Sequence, residues 1–235
     1  MKRILFSFAL FLLAGDGFAQ KGFGVDGSIG LGRNNGDPVY PLLIEGRIQL
    51  NNYFSANFGL GLWNSGFKDS WEGNKTPTTA TLLQMSSDKT LPTLQFGPRA
   101  QVPVFSINDK KVRFFVEPKL YFLPFSAQTV DLKKTYYNIT TNALTGDEIY
   151  TPTGVTENAS MKSECHPRLY GGFQTGLSIE LVENMDFAIS YGYTNMDLFK
   201  DLRGQSLDGI LMDGHLPKTD LQLINLSIRV NFDLN

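Results

Sequence analysis

Apolar residues recur at every second position in eight separate stretches of this 235-residue chain, and that period constrains its fold more than any other feature. Side chains of a β-strand point alternately to opposite faces, so each stretch reads as a strand with one apolar face. The first, 22–33, aligns Phe23, Val25, Ile29 and Leu31; the second, from Leu42, aligns Leu42, Ile44, Ile48 and Leu50. From Tyr53 come Phe54, Ala56, Phe58, Leu60 and Leu62, and from Thr93 come Leu94, Phe96, Ala100, Val102 and Val104. The fifth carries Val112, Phe114, Val116, Leu120 and Phe122, and the sixth Leu169, Phe173, Leu177 and Ile179. Met185, Phe187, Ile189, Tyr191 and Tyr193 form the seventh stripe; Ile224, Leu226, Ile228, Val230 and Phe232 form the last.

Connections between these stretches alternate in length. Asn51-Asn52, FSINDKK from Phe105 and LVEN from Leu181 are short, whereas 64–92, 125–167 and 194–220 are long and predict surface loops. Short turns on one side and long loops on the other fit an antiparallel up-and-down barrel of the outer-membrane type. Pro98, Pro103, Pro118 and Pro124 fall within strands and predict bulges or breaks in the ladder.

Alternation does not say whether the apolar face meets a core or lipid; the opposite face decides. It combines small residues (Gly24, Ser28, Gly59, Gly61, Gly172, Gly176) with near-balanced charge: Asp26, Glu45, Arg47, Arg99, Arg113, Glu117, Lys119, Glu180, Asp186 and Arg229. A narrow eight-stranded interior needs such small residues, with a few ionic side chains pairing between them. Turning the register inside out would put these charges in hydrocarbon, at about 10 kcal/mol or more. The apolar stripes therefore face lipid, and Tyr53, Phe54, Phe122, Tyr191, Tyr193 and Phe232 at strand ends suit an interfacial aromatic girdle.

The N-terminus agrees with export. Lys2 and Arg3 precede an apolar run from Ile4 to Ala14 and then Gly17-Phe18-Ala19, the pattern of a signal peptide spanning 1–19. The mature barrel then occupies 20–235. A net charge of −2 without basic runs speaks against nucleic acid as a partner, and a single cysteine, Cys165, excludes an internal disulfide.

In a bilayer no sheet edge stays unpaired, so the closing strand must zip to the first. Here the chain resembles the small outer-membrane β-barrel proteins of Gram-negative bacteria, the OmpA/OmpX-like or PorT-like barrel family. That family's terminal strand carries an assembly signal of polar, x, Gly, x, x, apolar, x, aromatic. Asn225, Ser227, Val230 and Phe232 match it with Ser in place of Gly, and three residues follow the aromatic one. The resemblance implies an eight-stranded barrel in the outer membrane; the 125–167 segment, read on its own residues, would make it ten strands if it also entered the membrane. The resemblance further implies lipid and lipopolysaccharide as surroundings and the barrel-assembly machinery as a partner.

Motifs with chemical content have plainer readings. Gly22-Phe23-Gly24-Val25-Asp26-Gly27 fits a dinucleotide fingerprint but lacks the strand–turn–helix context that aims amides at a pyrophosphate. Cys165-His166 are neighbours in sequence and rarely face each other productively. His215 has Asp208, Asp213 and Asp220 near it without EF-hand order. No cofactor or metal is implied. The 125–167 segment, with Tyr136, Tyr137, Ile139, Ile149 and Tyr150, can extend the neighbouring strands as a hairpin above the membrane. The expectation is a plugged barrel with a structural or surface-adhesive role toward an unnamed ligand. A narrow porin-like channel and a lipid-modifying rim enzyme are the alternatives.

Overall fold

The computed structural model describes residues 22–34, 37–217 and 220–232; the expected signal peptide lies outside them. Among the described residues twelve strands follow one another: β1 (Gly22–Asn34), β2 (Asp37–Gln49), β3 (Phe54–Lys75), β4 (Thr79–Ile107), β5 (Lys110–Leu123), β6 (Thr129–Thr141), β7 (Glu148–Lys162), β8 (Arg168–Val182), β9 (Met185–Thr194), β10 (Ser206–Leu207), β11 (Ile210–Leu211) and β12 (Leu221–Phe232). Eight of them, β1-β2-β3-β4-β5-β8-β9-β12, pair antiparallel in a ring. The ring closes between β1 and β12, from Phe23 opposite Phe232 to Arg33 opposite Gln222. No described helix is long and apolar enough to cross a membrane; the crossing elements are strands.

Short turns join the strands at one end. Asn51 Oδ1 accepts the backbone N–H groups of Tyr53 and Phe54, each at 2.8 Å, closing the β2–β3 turn. Asn108 and Asp109 take the left-handed conformation between β4 and β5, as does Asn184 between β8 and β9. Asn and Asp tolerate that region, and two-residue hairpin turns demand it.

At the other end, the connections expected as surface loops are built differently. Segment 64–92 is wall rather than loop: β3 and β4 continue as a long hairpin to a turn at Thr76–Thr78. Segment 125–167 folds as the β6–β7 hairpin, with β6 paired to the upper part of β4 from Thr79 to Ser86. It continues β5 and β8 after jogs at 124–128 and 163–167, outside the closed ring, so the ring has eight strands and not ten. Of segment 194–220, the described residues 195–217 turn inward.

The proline positions mark the irregularities. Pro98 and Pro118 face each other where the β4–β5 ladder lapses between Phe96–Leu120 and Ala100–Val116. A register shift lies between Pro103 and Phe105, and Pro124 ends β5. Missing N–H donors account for each. Gly97 sits in the lapse because a Cβ there would stand 2.3 Å from the Pro118 carbonyl oxygen.

The lower wall follows the sequence register. Ile29, Ile44, Leu60, Phe96, Leu120, Ile189 and Ile228 project outward and are exposed, Leu60 by 65%. Tyr53, Phe54, Phe122, Tyr191 and Phe232 ring its two margins, while Tyr193 packs against Phe173 at 5.9 Å. Val112 departs from the expected lipid stripe: it is buried, opposite Phe105 just past the register shift.

Candidate functional site: the lumen and its plug

The inward residues of the lower barrel form one row of charge around the wall. Strand pairing sets Glu45 beside Asp26, Asp26 beside Arg229, Arg229 beside Asp186 and Asp186 beside Glu180. Arg229 grips Asp26 through two bonds, Nε to Oδ1 at 2.5 Å and Nη2 to Oδ2 at 2.7 Å, and lies 3.8 Å from Asp186. Arg113 reaches Asp186 at 3.3 Å and Glu180 at 3.7 Å. Lys119 bridges Glu45 at 2.7 Å and Glu117 at 3.3 Å. Arg99 stands 3.9 Å from Glu117 and lays its guanidinium 3.4 Å over the Phe115 ring. Arg47 hydrogen-bonds Asn231 and has no ion pair among the described residues.

Nearly all these groups are buried; Arg113 and Glu180, near the turn end, are partly open. Charges taken from water remain ionised only when paired, so the network is mutually dependent. Asn231 and Phe115 complete it and were not singled out from sequence. The cross-strand register places Asp26 opposite Arg229, a signal available once β1 and β12 are paired. Asn57 and Gln95 side chains are buried without protein partners, and buried amides of this kind are satisfied by water.

Above the ions the lumen becomes apolar. Val39, Leu43, Trp63, Leu91, Tyr121, Leu123, Leu221 and Leu223 line the upper barrel, and Phe67, Leu83, Met85, Val130 and Leu132 line the inner face of the extension. Into this cup folds segment 195–217, burying Met196, Leu198, Phe199, Leu202, Leu207, Met212 and Leu216. Phe199 meets Phe67 edge to face at 5.1 Å. The β10–β11 hairpin turns on Asp208-Gly209, both left-handed, as the DG pair suggests.

Polar latches hold this plug. Asp201 takes hydrogen bonds from Arg168 and Ser126, with His166 Nδ1 at 3.3 Å. Burial alone raises the Asp201 carboxyl; the bonds from Arg168 and Ser126 outweigh it and hold the group below the usual aspartate range. Arg203 ties Asp197 at 2.7 Å to the Pro217 carbonyl at 2.6 Å. Lys134 pairs with Asp208. His215 stacks on Trp71 at 3.6 Å and bonds Asp69 through Nδ1 at 2.7 Å.

The sequence candidates therefore separate. A serine and an acid do lie beside His166, but neither ring nitrogen contacts Ser126 Oγ; Nε2 faces Glu164 at 3.6 Å, and Ser126 bonds the His166 carbonyl at 2.7 Å. Hydroxyl activation needs a base–nucleophile contact, and this cluster instead pins three segments together. Asp208, Asp213 and His215 engage different partners and do not converge. The Gly22–Gly27 run is part of strand β1.

No protein-family model and no curated protein matches the chain. Among solved structures it is similar to Neisserial surface protein A, at 11% identity and a TM-score of 0.44, covering 92% of this chain and 100% of that one. It is also similar to Ail, the attachment invasion locus protein of Yersinia pestis, at 12% identity, TM-score 0.34, 91% and 98% covered. Acinetobacter baumannii CarO2 gives 14% identity, TM-score 0.38, 91% and 99% covered. What decides the architecture is the chain's own geometry: a ring without an open edge, charge within, and a belt of exposed Ile, Leu, Val and Phe without. The chain is a transmembrane β-barrel. Asn225 and Ser227 of the terminal strand point into this barrel, whereas Val230 and Phe232 point out of it.

Proposed function

We propose that this barrel sits in the outer membrane of a Gram-negative cell, after removal of residues 1–19, and that it is a closed wall with a structural or adhesive surface role. The observation that carries this reading is the double stopper, in which an apolar plug sits over an ion network whose members pair along the wall, as Arg229 with Asp26, and across the lumen, as Lys119 with Glu45. Eight strands leave little open bore, and opening a path would break buried ion pairs. The extension formed by upper β3, upper β4, β6 and β7 is then the part offered to the exterior. Lipid and lipopolysaccharide surround the wall in this reading, and Asn225, Ser227, Val230 and Phe232 address the assembly machinery.

Planar-bilayer recording tests the closed lumen: no unitary conductance is expected from the purified full chain, and stable single-channel steps would overturn it. A narrow porin-like channel is the second reading, favoured by the unpartnered amides of Asn57 and Gln95, which imply water in the lumen. Under that reading, deleting 197–215 should raise conductance severalfold; in the closed-wall reading the ions alone keep it silent. Cell fractionation with a heat-modifiability gel checks location and barrel state together.

A further inference from the structure

The outer face of the extension carries a polar groove of about 710 Å³ that the closed-wall reading does not use. Strand register arranges its side chains in two cross-strand rows. One row runs Lys68, Ser86, Asp131, Ser160 across β3, β4, β6 and β7. The next runs Ser70, Gln84, Lys133, Asn158 over the same strands. Not one of the eight is aliphatic or aromatic, although the same face of β3 and β4 lower down is Phe58, Leu60, Phe96 and Val102.

The chemistry of the rows is that of a donor-rich cradle. In these two rows two ammonium groups, two carboxamides and three hydroxyls surround the Asp131 carboxylate, a charge of +1 on a chain of net −2; Asp69, in the row between them, also borders the groove but its carboxylate bonds His215 in the plug. Lys134, on the opposite face, is tied to Asp208, whereas Lys68 and Lys133 make no ion pair among the described residues. Ser86 lies between Lys68 and Asp131 in one row, and Gln84 between Ser70 and Lys133 in the other. Such a surface suits a hydroxylated ligand bearing phosphate or sulfate, bound through polar contacts without ring stacking.

Height selects among sources of that chemistry. From Leu94, the topmost lipid-facing residue of β4, to Ser86 is about 26 Å of strand, or about 20 Å above the belt at a tilt of about 40°. Phospholipid headgroups extend only about 5–8 Å beyond the hydrocarbon. They end below the groove, but a saccharide chain reaches it, whether carried by an outer-leaflet glycolipid or free in the medium.

We propose that the groove between Lys68 and Asn158 binds an acidic oligosaccharide. The proposal deepens the surface role above and rests on it. The test uses the full chain in phosphatidylcholine nanodiscs, titrated calorimetrically with phosphorylated lipopolysaccharide core oligosaccharide, a heparin hexasaccharide and neutral maltohexaose. Tighter binding of the acidic probes than of maltohexaose, by tenfold or more, is expected. The double variant K68E/K133E and the groove-filling variant S86W should each weaken it tenfold or more, with heat-modifiability unchanged. Preference for the phosphorylated over the sulfated probe points to glycolipid as the source, and the reverse to an exogenous glycan; either supports the site. Absence of binding at millimolar probe, equal binding of maltohexaose, or both variants binding as the parent overturns it. Labelling of Cys165 in intact cells by an impermeant maleimide keeps the two readings apart. A labelled, non-conducting barrel that binds no saccharide loses this inference alone.

Discussion

Below Leu62 on β3 and Leu94 on β4, the wall is apolar outside and ionic inside; above them the same two strands are polar outside and apolar inside. On β3 the outward set changes from Phe58, Leu60 and Leu62 to Asn64, Lys68 and Ser70, while the inward set changes from Ser55 and Asn57 to Trp63 and Phe67. On β4 the inward set changes from Gln95 and Arg99 to Leu83, Met85 and Leu91. Backbone pairing runs through the exchange without interruption from Phe54 to Glu72. Hydrogen bonding therefore builds one wall, and the surrounding solvent dictates which face is greasy. Where lipid lies outside, the interior holds ions; where water lies outside, it becomes an ordinary hydrophobic core.

The two interiors should fail differently. Arg229→Met leaves Asp26 buried without its bidentate partner, and we expect a loss of about 3–5 kcal/mol of barrel stability, read by urea unfolding in vesicles. Combining it with Asp26→Leu should restore most of that loss; a double variant as unstable as the single one would contradict the pairing. Phe199→Ala in the plug should cost about 3 kcal/mol locally through its lost packing with Phe67. Hydrogen exchange should speed across 196–216 while heat-modifiability of the barrel stays as it was. Collapse of the whole barrel on that substitution would mean the two interiors fold as one unit.

Much of the lower barrel was legible in the sequence, because lipid on one side and ions on the other hold eight stripes in strict phase. The upper half was hidden by the same rule. At Trp63 the apolar residues change parity, to Trp63, Phe67 and Trp71, so the stripe breaks off where the surrounding solvent changes. Segment 194–220 has no period at all: Met196, Leu198, Phe199, Leu202, Leu207, Met212 and Leu216 are spaced irregularly, since an irregular backbone fits them to a cup made by other strands. Asp26 and Arg229 lie 203 residues apart, so their pairing emerges only after ring closure fixes the register.

Backbone crowding separates the halves further. Gly97→Ala, in the lower wall, places a Cβ against the Pro118 carbonyl and should cost about 2 kcal/mol by the same unfolding assay. Gly171→Ala, on β8 at the margin, meets nothing within 4 Å and should leave stability unchanged. Equal effects at both sites would show that the lapse at Pro98–Pro118 is soft. A smaller effect is expected at the plug latch. The Asp201 carboxyl is depressed in the folded state, so its contribution is fully present above the ordinary aspartate value and is lost as pH falls through the lower folded value. Plug protection in hydrogen exchange should accordingly weaken only below about pH 4. Asp201→Asn should cost about 1 kcal/mol of plug docking and flatten that acid limb.

The smallest effect belongs to the tip of the extension, where Lys75 bonds Glu148 at 2.6 Å and the Tyr150 hydroxyl at 2.8 Å. Those bonds push the Lys75 ammonium up and the Glu148 carboxyl down. The shifts resemble those of a strong pair, yet both residues stand in solvent, where side-chain ordering and salt screening offset the attraction. Lys75→Met should therefore leave urea unfolding and plug exchange unchanged, although it removes a contact shorter than the buried Arg229–Asp186 approach of 3.8 Å. A measurable loss would show that the tip anchors the β3–β4 and β6–β7 hairpins to each other and that the extension owes its shape to its polar rim. No change would leave that role with Leu83, Met85, Val130 and Leu132 on the inner face, where burial outweighs any exposed ion pair.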